Sequence, residues 1–254
     1  MKTSARPGIP FIDEAWLNGP MPLPPGPHLV PSPNGGTFLL VDKPAGPTSH
    51  DIVDQVRRLA GTRRVGHAGT LDPFATGLLI LGIDKATKDL AGLLGADKSY
   101  VAEAQLGATS ETDDPEGPIS ERLDAVPLAE VDIRAALARF LGEHDQVAPA
   151  YSAKKIGGKK LYDLARAGKA DTVERPIKRI RILEIELLTY AWPRVRFSVT
   201  CSSGTYIRAI ARDLGAALGT GAYLTALRRT RIGSLRVEDA LALDVPAKKR
   251  LPSA

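Results

Sequence analysis

Gly66-His67-Ala68-Gly69-Thr70-Leu71-Asp72-Pro73-Phe74-Ala75-Thr76-Gly77 holds one acidic side chain among three glycines and a proline, just before the apolar run Leu78-Leu79-Ile80-Leu81. Glycine permits sharp turns and close approach of a ligand to the backbone. Pro73 restricts Asp72 to an extended backbone, which helps to fix the direction of its side chain. Taken alone, aspartate before proline is a common turn signal, and the loop reads as a plain turn. The residues around it change that reading.

On the N-terminal side, Phe38-Leu39-Leu40-Val41 reads as a short apolar strand stopped by Lys43-Pro44-Ala45-Gly46-Pro47. Thr48 or Ser49 then caps a helix with Ile52, Val53, Val56, Leu59 and Ala60 on one face. Residues 1–36 carry Pro20, Pro22, Pro24, Pro25, Pro27, Pro31 and Pro33 and read as an extended, unpacked extension, with order starting at Thr37. On the C-terminal side, Leu78 to Leu81 reads as a buried strand, and Asp84 caps a helix running through Leu94. Tyr100 to Leu106 alternates as a strand, and Glu111 to Gly117 forms an acidic loop expected to point away from any polyanion. Ile133, Leu137, Phe140 and Leu141 mark a helix ended by Gly142. Residues 146–175 are rich in lysine, with a short helix Leu161 to Ala167 stopped by Gly168. Ile180 to Leu188 and Val195 to Cys201 read as a hairpin, followed by a helix bearing Ile207, Ile210, Ala211, Leu214 and Leu218, and a strand from Tyr223 to Ile232. Strands follow strands as well as helices, so the class is α+β, with a large, mixed, mostly antiparallel sheet flanked by helices.

The 254-residue chain is 43% apolar, which suffices for a real core, and its mean hydropathy is near zero. No apolar run approaches the length of a membrane span, and Lys2 and Arg6 lead into prolines rather than a secretory apolar segment, so a cytoplasmic location is expected. Cys201 is the sole cysteine and the four histidines are scattered, so no metal site is expected. A net charge of +5 leans towards a polyanionic partner.

The chain resembles the bacterial tRNA pseudouridine-55 synthases, the TruB-type pseudouridine synthase family, from about Thr37 to about Asp239. The resemblance rests on five motifs in order: Asp42-Lys43-Pro44-Ala45-Gly46; Gly66 to Gly77; Asp97-Lys98-Ser99-Tyr100; Pro149-Ala150-Tyr151-Ser152-Ala153-Lys154-Lys155; and Gly204-Thr205-Tyr206-Ile207-Arg208. It implies the pseudouridine synthase fold over residues 37–240, with a basic RNA-clamping insertion at about 151–175. It implies that one uridine in the T arm of tRNA, at position 55, becomes pseudouridine. The bond to N1 breaks, the uracil turns, and C5 bonds to the same ribose carbon. No redox change occurs, so no cofactor is expected.

By the same resemblance Asp72 is the catalytic carboxylate; it attacks the base, attacks the sugar, or removes a sugar proton. Arg208 matches the arginine that keeps the carboxylate ionised through a bidentate pair. Tyr100 matches the tyrosine that stacks on the target uracil. Tyr206 and Leu227 match positions lining the base pocket, and Lys43 is placed among the substrate-binding residues. A uridine inside the folded loop must be extruded, and His67 matches the histidine that fills the gap. Lys154, Lys155, Lys159 and Lys160, with Arg166 and Lys169, would grip phosphates; Arg228, Arg229, Arg231 and Arg236 form a second basic stretch. Two departures stand out: the proline-rich extension, and a tail, 241–254, too short for the PUA-type RNA-binding domain usual in the family. The expected partner is tRNA, acted on by a monomer with no protein partner. The alternatives are a guide-RNA-dependent pseudouridine synthase, against which the lysine-rich insertion argues, and an RNA-binding or tRNA-folding chaperone with secondary catalysis, against which the intact Asp72, Tyr100 and Arg208 argue.

Overall fold

The computed structural model describes residues 25–151, 155–156, 159–160 and 175–243, with the backbone alone at 155–156 and 159–160. They group into two compact units, one up to Ala96 and again from Arg228, the other from Asp97 to Leu227.

The first unit opens with β1 (Leu29–Pro31), antiparallel to β2 (Thr37–Lys43). Helix α1 (Ser49–Leu59) follows, then β3 (Val65–His67) and β4 (Thr76–Ile83). β2 and β4 are near-continuous apolar runs because both faces of each are covered. They pair antiparallel from Thr37 opposite Ile83 to Lys43 opposite Gly77. Period-two alternation then sorts the side chains. Leu39, Val41, Leu79 and Leu81 pack with Ile52, Val53, Val56 and Leu59 of α1. Phe38, Leu40, Leu78 and Ile80 pack in a second cluster with Ile232, Val237 and Ala240. Full burial of Ile52 or Val56 contributes about 2 kcal/mol each, so the α1 stripe rather than helix propensity holds the helix down. Thr48 and Asp51 form a reciprocal capping box, so the cap is Thr48.

Two expectations change in this part of the unit. Order begins before Thr37: β1 pairs with β2, His28 and Ser32 are buried, and a turn closes through Gly35 N–H to Ser32 O (3.1 Å). Proline is tolerated there because Pro31 ends a strand at the edge of the sheet. Asp84 caps no helix. It has a positive φ of 49° and begins a short 3-10 turn, Asp84–Lys88, before the six-residue α2 (Leu90–Gly95). Its carboxylate accepts a hydrogen bond from Thr62 Oγ1 instead (2.8 Å).

The second unit starts with β5 (Lys98–Leu106), whose side chains alternate between buried and half-buried. A small hairpin of β6 (Ala108–Ser110) and β7 (Ile119–Glu121) leads to α3 (Glu130–Ala138) and β8 (Gly142–Val147). β9 (Lys155–Ile156) and β10 (Lys159–Lys160) pair antiparallel. β11 (Ile177–Ala191), β12 (Arg194–Cys201) and α4 (Ile207–Ala217) follow. β5, β12, β11 and β8 are joined in that order by antiparallel ladders. The expected helix Leu161 to Ala167 lies outside the described residues.

β13 (Ala222–Ile232) contributes its first residues to the second unit; Arg228 and Arg229 pair parallel with Thr76 and Gly77 in the first. β14 (Leu235–Arg236) folds back on β13, and β15 (Leu241–Ala242) pairs parallel with Val41 and Asp42 of β2. Leu241 and Leu243 are buried in the core, so the stretch read as a tail from 241 is structural through Leu243.

The parallel step at Gly77 leaves no room for a side chain. Gly77 has φ +103°, and an added Cβ would lie 2.2 Å from the Arg229 carbonyl oxygen. Gly77→Ala is expected to cost about 3 kcal/mol, combining left-handed strain with overpacking. Urea unfolding measures this; an unchanged midpoint would show that the two strands separate freely.

Candidate active site

Asp72 is half-buried in the loop between β3 and β4. That loop is held through its backbone on both sides of Asp72. Ser49, buried at the start of α1, accepts from Leu71 N–H (2.8 Å) and donates to Leu71 O (3.0 Å). Lys43 donates its ammonium to Pro44 O (2.8 Å), Pro73 O (3.1 Å) and Ala75 O (2.7 Å). Arg229 donates Nε–H to Leu78 O (2.7 Å) and Nη2–H to Gly69 O (3.0 Å). The Ala75 amide closes a turn onto Asp72 O (3.1 Å). A carboxylate on a loop tied at Gly69, Leu71, Pro73 and Ala75 has little freedom left, which is the preorganisation that chemistry at a fixed atom needs.

Two basic residues therefore differ from their expected roles. Lys43, expected among the substrate-binding residues, is fully buried with its ammonium turned to loop carbonyls. Arg229, expected as a phosphate contact, is 1% exposed. Irregular backbone exposes carbonyls that α or β ladders would satisfy, and a long cation meets several at once. Arg228 is also engaged, forming a bidentate pair with Asp42 (2.9 and 2.7 Å), and Arg231 donates to Gly233 O (2.9 Å). Of that basic stretch only Arg236 is exposed.

His67 ends β3, half-buried, with Nδ1 buried and lacking a hydrogen-bond partner. Burial lowers its pKa below 6.5, the Arg229 charge lowers it further, and a hydrogen bond with the Gly69 backbone opposes both. Its imidazole is therefore neutral at physiological pH, flat and able to stack. With the folded pKa depressed, the unfolded chain binds the proton more readily, so this residue's contribution to stability is lost as pH falls from the ordinary value through the folded one. An NMR titration is expected to place His67 below 6.5, and Arg229→Gln to move it upward; a midpoint at or above 6.5 would contradict the reading.

In the second unit, Tyr100 is buried on β5 opposite Val199, and Leu227 is buried on β13. Tyr206 precedes α4 and is half-buried; the Gln146 side chain holds its backbone, accepting from Tyr206 N–H (2.8 Å) and donating to Tyr206 O (3.0 Å). Arg208 lies in the first turn of α4 but is not a solvated charge. Nη1–H donates to Thr112 O (2.7 Å) and Asp114 Oδ2 (2.9 Å), and Nη2–H to Tyr151 O (3.0 Å). The Arg208 and Asp114 side chains are only 6% and 3% exposed. One turn on, Arg212 pairs with Asp113 (3.1 Å) and Asp213 (2.8 Å). Burial raises the Asp113 pKa, while Arg212 and then Arg208 hold it back.

The acidic loop thus turns Asp113 and Asp114 inward, while Glu111 and Glu116 stay exposed. Sequence reasoning missed Asp114, Gln146 and Ser49. A signal for Asp114 existed: arginines four apart on one helix face repel each other and are relieved by acids, and Asp113-Asp114 supplies two. Of the lysine segment, Lys155, Lys159 and Lys160 fall on the β9–β10 hairpin, and Lys154 lies outside the described residues. Among the described residues no cluster of three or more His, Cys, Asp or Glu could hold a metal ion. Burial pushes the Cys201 thiol up to about 11, so it is no nucleophile.

Residues 57–207 match the TruB family pseudouridylate synthase (N terminal domain), and residues 208–245 the tRNA pseudouridylate synthase B C-terminal domain. Among similar proteins, tRNA pseudouridine synthase B of Mycobacterium sp. (strain KMS) is 51% identical over 217 residues, covering 84% of this chain and 72% of that one. The protein of the same name from Mycobacterium bovis (strain BCG / Pasteur 1173P2) is 48% identical over 223 residues, covering 86% and 74%. Among solved structures, a chain of a Cbf5-Nop10-Gar1 complex aligns with TM-score 0.64 at 28% identity, over 94% of this chain and 58% of that one. A chain of an H/ACA RNP bound to a substrate RNA containing 2'-deoxyuridine aligns with TM-score 0.61 at 29% identity, over 82% of this chain; the match spans half the length of that chain. The fold is that of the pseudouridine synthases. With both halves of its family's sequence profile present in order and about half its residues shared with relatives across most of their length, the chain belongs to the TruB family of pseudouridylate synthases.

Proposed function

We propose that this protein isomerises uridine 55 in the T arm of tRNA to pseudouridine, as a stand-alone monomer in the cytoplasm. The observation that carries the reading is the half-buried Asp72 on a loop tied down by Ser49, Lys43 and Arg229. Those ties hold the Asp72 backbone in one place, which chemistry at a fixed atom requires. Close relatives named tRNA pseudouridine synthase B support the substrate class. Among the described residues, no helix is long and apolar enough to cross a membrane.

In this reading His67 takes the place of the extruded base, neutral and flat. Asp72 acts at the base, the sugar carbon or a sugar proton. Tyr100 stacks on the uracil, Tyr206 and Leu227 line its pocket, and Arg208 supplies the countercharge. The C1'–N1 bond breaks, the uracil turns, C5 bonds to C1', and the proton leaving C5 balances the one gained at N1. Lys154, Lys155, Lys159 and Lys160 grip phosphates without reading bases.

The guide-dependent alternative is disfavoured by identity: 48–51% to the tRNA synthases against 28–29% to chains of the Cbf5 and H/ACA complexes described above. Incubating purified protein with unmodified tRNA, without guide RNA, and mapping pseudouridine is the test. Modification at position 55 is expected. No modification unless a guide is added would overturn the proposal.

A further inference from the structure

A patch of unpaired arginines lies at the end of the first unit's sheet remote from Asp72. Arg58 in the last turn of α1, and Arg63 and Arg64 just before β3, are exposed, and their side chains have no acidic partner among the described residues. Arg122, Arg134, Arg179 and Arg194, also exposed, each sit beside a carboxylate, whereas Arg139, Arg181, Arg196 and Arg236 are exposed without one among the described residues. What sets Arg58, Arg63 and Arg64 apart is that three such arginines fall close together in the chain around one depression. Arg57, Arg58 and Arg63 line an open depression of about 370 Å³, with Asp54, Gly61 and Thr62. The acids nearby are already engaged. Asp54 pairs with Arg57 (3.0 Å) and lies 3.7 Å from His50, and Asp84 accepts from Thr62 (2.8 Å). Arg57 keeps its Nε–H buried without a hydrogen-bond partner. The Asp84 amide bonds Arg64 O (2.8 Å), which brings exposed Lys85 beside the arginines.

The register of β4 fixes the distance. Asp72 is tied to the Thr76–Gly77 end through Ala75 and Lys43, while Val65 lies opposite Ile83 at the other end. At about 3.3 Å per residue, the patch is roughly 20 Å from the carboxylate. It cannot touch the target nucleotide. Forked guanidiniums left without carboxylates match phosphate oxygens.

The geometry points to a second RNA-binding surface, formed by Arg58, Arg63, Arg64 and Lys85, that holds backbone phosphates of the substrate outside the target loop. This rests on the reading of the protein as a tRNA-modifying enzyme. The surface adds affinity and register but leaves the chemical step alone, because phosphates carry no sequence and the patch is remote from Asp72.

The test uses the full chain and the triple variant R58Q/R63Q/R64Q, with unmodified full-length tRNA and a stem–loop cut back to the target loop and its closing pairs. For full-length tRNA the variant is expected to bind about tenfold more weakly near 0.15 M salt, with a log K against log salt slope shallower by about 2. The rate at saturating RNA and the unfolding midpoint stay at the unsubstituted protein's values. The matching triple lysine variant keeps most of the slope, and the short stem–loop binds both glutamine variant and parent equally. An unchanged slope with full-length tRNA overturns the proposal, and so does an equal loss with the short stem–loop, which would put the patch on the loop itself. Failure of the unsubstituted protein to modify tRNA sinks the functional reading instead, so the two failures are told apart.

Discussion

Asp72→Asn is expected to reduce pseudouridine formation by roughly 10⁴-fold or more while leaving tRNA binding within a few-fold of the unsubstituted protein. The substitution removes one charge and exchanges an oxygen for an amide of nearly the same volume. The loop does not depend on that charge for its known ties. Leu71 is held by Ser49, Pro73 and Ala75 by Lys43, and Gly69 by Arg229. Backbone position is therefore retained, and what is lost is the group that attacks or takes a proton. Each of the three roles open to Asp72 needs a carboxylate lone pair carrying negative charge, so all predict the same collapse of rate. Single-turnover conversion at saturating RNA, with binding measured separately on the same preparation, isolates the chemical step. Turnover within tenfold of the parent would remove Asp72 from the mechanism. Lost binding together with lost turnover would show instead that the side chain shapes the RNA surface.

Much of the framework around Asp72 is legible in sequence because its signals are local. The apolar runs of β2 and β4, the alternation of β5 and β12, and the Thr48 cap with its α1 stripe each follow from one period or one motif. What escaped is non-local. In sequence Lys43 reads as a substrate contact and Arg229 as a phosphate contact because cations are usually exposed; only the folded loop reveals carbonyls that need donors. Strand periodicity did hold a hint, since Leu227 and Arg229 are two apart on β13 and share a buried face. β8 carries Glu143, His144 and Asp145 and shows no apolar alternation; it pairs with β11 at the end of its sheet, where polar side chains are tolerated. β1 is hidden by Pro31 and the prolines that flank it, although a three-residue strand beside β2 needs little more than free backbone groups.

The buried Arg208–Asp114 pair leads to the second large effect. Asp114→Ala is expected to lower stability by about 3–5 kcal/mol, the cost of leaving a buried cation without its anion. The damage is not confined to Arg208. Asp114 Oδ1 also accepts from Thr112 Oγ1 and from Glu116 N–H (3.0 Å), so the loop that presents Thr112 O to the guanidinium loses its own brace. Arg208 then loses the carboxylate that holds its Nη1, while the carbonyls of Thr112 and Tyr151 remain as acceptors. If that fork serves Asp72 chemistry as proposed, catalysis falls with it. Asp114→Asn separates the two effects. The amide oxygen can still brace Thr112 and Glu116 at similar volume, so the stability loss shrinks to about 1–2 kcal/mol, the scale of a buried hydrogen bond weakened rather than deleted. The countercharge is gone all the same, and conversion at saturating RNA is expected to drop about tenfold or more. Arg208→Lys should lose activity as well, because a point charge cannot hold three acceptors in one plane. Urea unfolding and single-turnover rates on the three variants decide the matter. An Asp114→Ala protein with the parent's unfolding midpoint would mean that the pair contributes nothing to the fold, and an Asp114→Asn protein with the parent's rate would mean that Arg208 needs no help from the acidic loop to do its work.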